Sequence, residues 1–204
     1  VPYVSFVVAQ IPLPLTIMQI LAVDLGTDIV PALALGAEPA DPQVMHAPPR
    51  RRSERLLSPG LLLRAYLWLG MFEAAAGMAA FFFVLHQGGW TYGEPLAATN
   101  LLYREATTAC LAAIVIMQVV NVFNCRSERR SVFKAGFFSH RLLLIGIAAE
   151  IGLVMLISYT APGQAAFGTA PLALDAWLVA LPFALAMLLF EELRKAIVRR
   201  RLRR

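Results

Sequence analysis

Long apolar runs separated by short polar stretches set the pattern of this 204-residue chain. A helix needs about 20 apolar residues to cross a bilayer. Five runs come near or exceed that length, at about 16–37, 61–85, 106–125, 142–160 and 176–193. An earlier run over 1–11 is half as long and predicts a partial helix, after which Ile11-Pro12-Leu13-Pro14-Leu15 turns the chain. The expected fold is all-α: an integral membrane helical bundle of five full transmembrane helices plus the partial first one.

The polar stretches carry an alternating charge. Loop 38–59 holds Arg50, Arg51, Arg52 and Arg55, loop 126–141 holds Arg126, Arg129, Arg130, Lys134 and Arg141, and the tail 194–204 is strongly basic. The connections at 86–105 and 161–174 carry little or no positive charge. The positive-inside rule puts loops 38–59 and 126–141 and the carboxyl end in the cytoplasm. A plasma-membrane location is expected.

Composition agrees. The chain is 59% hydrophobic, where a soluble domain is about 45–50% apolar. Its net charge of +5 lies in the loops and its aromatic residues in the spans, so span orientation, not nucleic-acid binding, explains the basic balance. Cys110 and Cys125 stand at opposite ends of one expected helix, about 22 Å apart, too far for a disulfide. Both are read as packed thiols. A chain that opens inside an apolar stretch is expected to be a fragment or the product of a truncated reading frame.

The candidate chemistry lies inside the spans. Asp24-Leu25-Gly26-Thr27-Asp28 is flanked on both sides by apolar residues. At α-helical spacing, Asp24, Thr27 and Asp28 share a face. Two carboxylates in hydrocarbon are costly, at about 2.5–3.5 kcal/mol each, and a bound cation or shared protons relieve them. Pro12, Pro14, Gly26 and Pro31 interrupt the helix there, and freed carbonyls at such breaks line cavities and hold hard cations. The expected ligands of an alkali or alkaline-earth cation, or of a proton, are therefore Asp24 and Asp28, with Thr27 beside them. The plainer reading makes Asp24 to Asp28 the cap of a short helix after a loop.

Gln118 and Asn121, three residues apart, offer either interhelical hydrogen bonds or neutral oxygens to a cation. Asn124, near the span end, reads as a cap or packing contact. Glu150 sits mid-span among Ile147, Ala148, Ala149 and Ile151; it reads as an acid that handles ions or protons, or as a protonated structural one. Glu73 is a weaker candidate of the same kind. Arg64 and Arg194 stand near span ends, where they can snorkel. Glu191 and Glu192 can pair with the adjacent basic tail. Ser5, Gln10 and Gln19 read as packing contacts, and His46, His86 and His140 as solvated surface.

Together these residues resemble a known family. The proline-broken turn followed by D-L-G-T-D is similar to the fifth and sixth transmembrane helices of type II P-type cation-transporting ATPases, in the sodium/potassium and proton/potassium pump branch. Glu38, Asp41, Met45 and Pro48-Pro49-Arg50, then Arg126 to Phe133, then Glu192-Leu193-Arg194-Lys195 continue the likeness over essentially the whole chain.

The resemblance implies that Asp24, Thr27 and Asp28 coordinate the cation and that Gln118 and Asn121 contribute from the eighth helix. It places Glu150 at an additional sodium site or proton path. Calcium pumps typically carry Asn at the position of Asp24 and an acid at that of Gln118, which argues against a calcium pump. The transported ion (Na+, K+, H+ or Ca2+) stays open.

The family's D-K-T-G phosphorylation loop and its nucleotide and actuator domains do not occur in these residues. ATP and Mg2+ would act only through them, and an enzymatic role would need them. The expected partners are the lipid bilayer and those remaining domains; an accessory subunit is left open. The resemblance implies the membrane portion of an ATP-driven cation pump. Its alternatives are a structural or regulatory membrane fragment and a passive secondary transporter, the latter disfavoured because no internal repeat is visible.

Overall fold

The computed structural model describes residues 2–38, 57–127, 131–136 and 140–202. Helix α1 (Pro2–Ala9) is short. Pro12 and Pro14 then keep the chain non-helical, until Thr16 opens α2 (Ile17–Leu21) with a capping box to Gln19. A π-helical turn, Ala22–Thr27, follows, and α3 (Ile29–Gly36) completes the crossing. Ser58 caps α4 (Pro59–Leu62), which passes through a second π-helical segment, Leu63–Leu69, into α5 (Gly70–Gln87).

Asn100 caps α6 (Leu101–Cys125); a single short turn, α7 (Val132–Ala135), comes next. Helix α8 (Arg141–Tyr159) starts on His140, whose Nδ1 accepts from the Leu143 N–H at 3.2 Å. After α9 (Ala161–Phe167), ended by Gly168 in the left-handed region, α10 (Leu174–Leu178) leads to α11 (Ala180–Leu202). Among the described residues, five helical stretches are long and apolar enough to cross a membrane: Ile17–Gly36, Pro59–Gln87, Leu101–Cys125, Arg141–Tyr159 and Leu174–Arg200. The fold class read from the sequence is the one observed.

Helix α6 is the buried axis. Its closest partner is α5, with α11 against both. Small residues allow that approach: a Cβ on Gly77 would lie 3.2 Å from Cys110 Sγ and 3.3 Å from a carbon of Ile114. Ala76, Phe81, Leu85, Leu111, Met117 and Met187 fill the interface. Helix α3 packs instead on α8, where a Cβ on Gly146 would sit 3.4 Å from the Pro31 backbone.

Outside this core the surface is apolar. Val7, Val8, Leu33, Leu67 and Leu189 are each more than 60% exposed. Such a surface suits lipid rather than water.

Polar fasteners close the end where α6 begins. Gln19 donates to Thr107 Oγ1 at 3.1 Å. Arg104 donates to the carbonyls of Gln164 and Thr169, and Tyr103 to the carbonyl of Leu13.

Candidate cation site

The D-L-G-T-D stretch is wound more widely than an α-helix. The Asp28 N–H bonds the carbonyl of Val23, five residues back, at 3.0 Å. Such π turns are frequent at functional sites. One consequence is that α-helical spacing does not describe the motif. Thr27 is buried, whereas Asp24 and Asp28 are exposed on this chain.

Asp28 stands at the boundary of α3, yet its side chain makes no capping bond. Its carboxylate instead accepts from Gln118 Nε2 at 2.6 Å. The other end of the same amide accepts from the Thr27 hydroxyl at 3.0 Å, a hydroxyl shared with the Val23 carbonyl. Gln118 thus grips both motif residues from α6, and its amide orientation follows from these two partners.

These groups open into a cavity of about 270 Å³, lined by Thr27, Asp28, Gln118, Asn121, Cys125 and Glu150, with Pro31, Ala32, Leu35 and Val122 as its apolar wall. Glu150 reaches it from α8. It is 1% exposed and neither carboxyl oxygen has a hydrogen-bond partner. A buried carboxyl group without a partner costs several kcal/mol, so its retention beside Asp28 needs a reason. The lining offers carboxylate, hydroxyl and amide oxygens from three helices, which is the chemistry of a hard cation.

A family model described as "Cation transporting ATPase, C-terminus" matches residues 12–197. The chain belongs to the cation-transporting ATPase family. It is 30% identical to the potassium-transporting ATPase alpha chain 2 of Rattus norvegicus, over 97% of this chain and 22% of that protein. It is 32% and 31% identical to the sodium/potassium-transporting ATPase subunit alpha-2 of Gallus gallus and of Homo sapiens, over 98% of this chain and 22% of each relative. The chain therefore spans about a fifth of the length of these relatives and corresponds to their carboxy-terminal membrane domain. It is a multi-pass membrane protein.

Of the residues expected at the site, Thr27, Asp28, Gln118, Asn121 and Glu150 line one cavity. Asp24 does not line it. It lies within electrostatic reach of Asp28 but hydrogen-bonds none of the described residues. Glu73, on α5, is outside the lining, although it lies within electrostatic reach of Asp28. Gln118 makes interhelical bonds, whereas the Asn121 Oδ1 accepts the Cys125 thiol one turn away at 3.5 Å.

Several sequence expectations are corrected. Cys110 is a packed thiol, but Cys125 is exposed at the cavity rim. His140 caps α8 instead of standing in solvent. Arg64 and Arg194 do not simply snorkel: both pair with Glu191, at 2.5 and 2.7 Å. Glu192 accepts from the Val132 N–H, and the buried Lys195 donates to the Asn124 carbonyl.

Arg126, expected only as a basic loop residue and part of a motif, chelates Glu38 through Nε and Nη2 and donates to the Gly136 carbonyl. Its place just after the amide-bearing helix was the available signal. His46, and the parts of the loop motifs at 39–56 and 128–130, lie outside the described residues.

Proposed function

We propose that the cavity bounded by Thr27, Asp28, Gln118, Asn121 and Glu150 is the part of a cation-transport path contributed by this domain, in an ATP-driven pump. Asp24 completes the site together with groups from the rest of the pump. The single observation that carries this reading is the Gln118 amide holding Thr27 and Asp28 at a cavity into which an unpartnered Glu150 opens. A carboxylate that accepts a hydrogen bond keeps further lone pairs for a cation, and Glu150 supplies a second acid that a cation or a proton would satisfy.

The named relatives transport potassium, or sodium and potassium, and an alkali cation is the cargo proposed here. Phosphorylation of a domain outside these residues would drive the helices between two arrangements, exposing the site alternately to each side. The basic stretches favour cytoplasmic loops 38–59 and 126–141 and a cytoplasmic carboxyl end, in a cell-surface membrane.

The test is made in the full-length enzyme. Asp28→Asn and Asp24→Asn should each weaken cation-dependent phosphoenzyme turnover sharply. Unaltered cation dependence in both would overturn the proposal and leave the bundle a structural membrane element.

A further inference from the structure

One acid stands inside the bundle without a place in the cavity. Glu73 lies midway along the crossing Pro59–Gln87. Leu69, Glu73, Ala76 and Ala80 follow one another at intervals of four, three and four residues, which is one face of a helix. The other three are buried and Glu73 is half-buried, so α5 turns this acid toward the bundle and not toward lipid.

Its neighbours across the interface follow from Gly77, four residues on. A Cβ there would lie 3.2 Å from Cys110 Sγ and 3.3 Å from a carbon of Ile114. Helices α5 and α6 are successive crossings and run antiparallel, so the turn of α5 that holds Glu73 comes level with residues 114–118 of α6. Gln118, which bonds Thr27 and Asp28, ends that turn. Asp28 and Glu150 thus approach α6 from α3 and α8, and Glu73 approaches it from α5.

These acids have no basic counterpart among the described residues. Glu73 makes no hydrogen bond or ion pair with any of them, Asp28 accepts from the Gln118 amide, and Glu150 has no partner. Glu73 lies within electrostatic reach of both Asp28 and Glu150. The titratable groups on the elements packed against α5 have other partners. Arg64 of the second π turn and Arg194 of α11 pair with Glu191, and Lys195 donates to the Asn124 carbonyl. Asp175 of α10 accepts from Gln87, Tyr3 of α1 donates to the Leu15 carbonyl, and Cys110 of α6 is packed on Gly77. Arg104 and Tyr103 donate to carbonyls at the far end of α6.

Like charges gathered in a low dielectric repel one another, and a cation or protons relieve them. The second observation that points to such an ion is Glu150, 1% exposed and unpartnered at the cavity.

We infer that Glu73 is a third acid of the cation site. It acts through its charge on Asp28 and Glu150 without touching the cation, and it sets how strongly protons compete with that cation. The inference rests on the cation site proposed above.

The experiment is equilibrium binding of radioactive rubidium to the full-length protein across a wide pH range. In the parent, affinity falls as pH drops, because protons take the place of the cation. Glu73→Gln removes one of three like charges, so Asp28 and Glu150 take up protons less readily. The fall should set in about one pH unit lower, the order expected of one nearby charge. Above that fall the variant should bind rubidium several-fold more weakly, having lost an attracting charge.

Glu73→Asp keeps the charge and should keep the parent midpoint. Glu73→Leu, apolar in an apolar stripe, gives the same shift as Glu73→Gln and serves if the amide variant does not fold. A role in packing alone would change affinity at every pH alike. A midpoint unmoved in Glu73→Gln and Glu73→Leu, or one moved as far in Glu73→Asp, would overturn the inference while Asp28→Asn still weakened binding. Rubidium binding unweakened in Asp28→Asn would overturn the cation site, and this inference with it.

Discussion

Among the described residues, two π-helical turns are wound alike and serve opposite surroundings. Ala22–Thr27 turns its polar groups inward: Thr27 is buried against Gln118, and Gly26 lies so close to α8 that a Cβ there would be 2.3 Å from Leu153 Cδ2. Leu63–Leu69 turns apolar side chains outward to lipid and holds one charge, Arg64, against Glu191 at the bundle end. A wide turn shifts side chains off the α-helical stripe. In the first case it aims a hydroxyl and a carboxylate at a neighbouring amide; in the second it brings a guanidinium to an ion pair. Winding alone does not bring oxygen groups together. At the first turn, groups from other helices converge on one cavity; at the second they do not.

That contrast can be broken most forcefully at the second turn. Glu191→Gln removes the carboxylate between two guanidiniums. It should cost about 3 kcal/mol, the low end for unpairing a buried ion pair, seen as a large fall in unfolding temperature. Apparent cation affinity in the full-length enzyme should stay within experimental error; a parallel loss would mean that the two turns are coupled.

Gln118→Leu strikes the first turn instead. It takes from Asp28 its amide donor and leaves the Thr27 hydroxyl with the Val23 carbonyl alone. The expected cost is about 2 kcal/mol, with a loss of cation affinity that Glu191→Gln lacks, both read from cation titrations of activity alongside melting curves.

Glu150→Leu sharpens the point, because stability and function should part. Removing an acid with no partner should raise stability by about 1 kcal/mol, while cation affinity falls roughly ten-fold. A stabilised variant with unchanged affinity would mark Glu150 as structural.

The smallest effect belongs to Gly26→Ala. Helix propensity favours alanine by up to about 1 kcal/mol, but the new Cβ meets Leu153 Cδ2, the far end of a side chain that can yield. Net stability should move by less than about 1 kcal/mol in thermal unfolding.

Much of this was legible in the chain itself. Apolar runs located the crossing helices because hydrocarbon leaves helices or closed barrels as the ways to satisfy the backbone. The acids at 24, 28 and 150 stood out because charge in such runs is costly.

The winding was not legible. An i→i−5 bond at Asp28 has no signature in a periodicity that changes over six residues, so α-helical spacing groups Asp24 with Thr27 and Asp28, of which only the latter two line the cavity. The pairing of Arg64 with Glu191 spans 127 positions; local charge reading sees only Arg194, three residues away. Spacing excludes a disulfide between Cys110 and Cys125 and so reads both as packed thiols, but spacing does not reveal the cavity at which Cys125 is exposed.

The most direct measurement is equilibrium binding of a radioactive alkali cation to the full-length protein and to its Asp28→Asn variant. Saturable binding in the parent that weakens roughly thirty-fold or more in the variant is the predicted result. Equal binding by the two proteins would contradict the cation site described here.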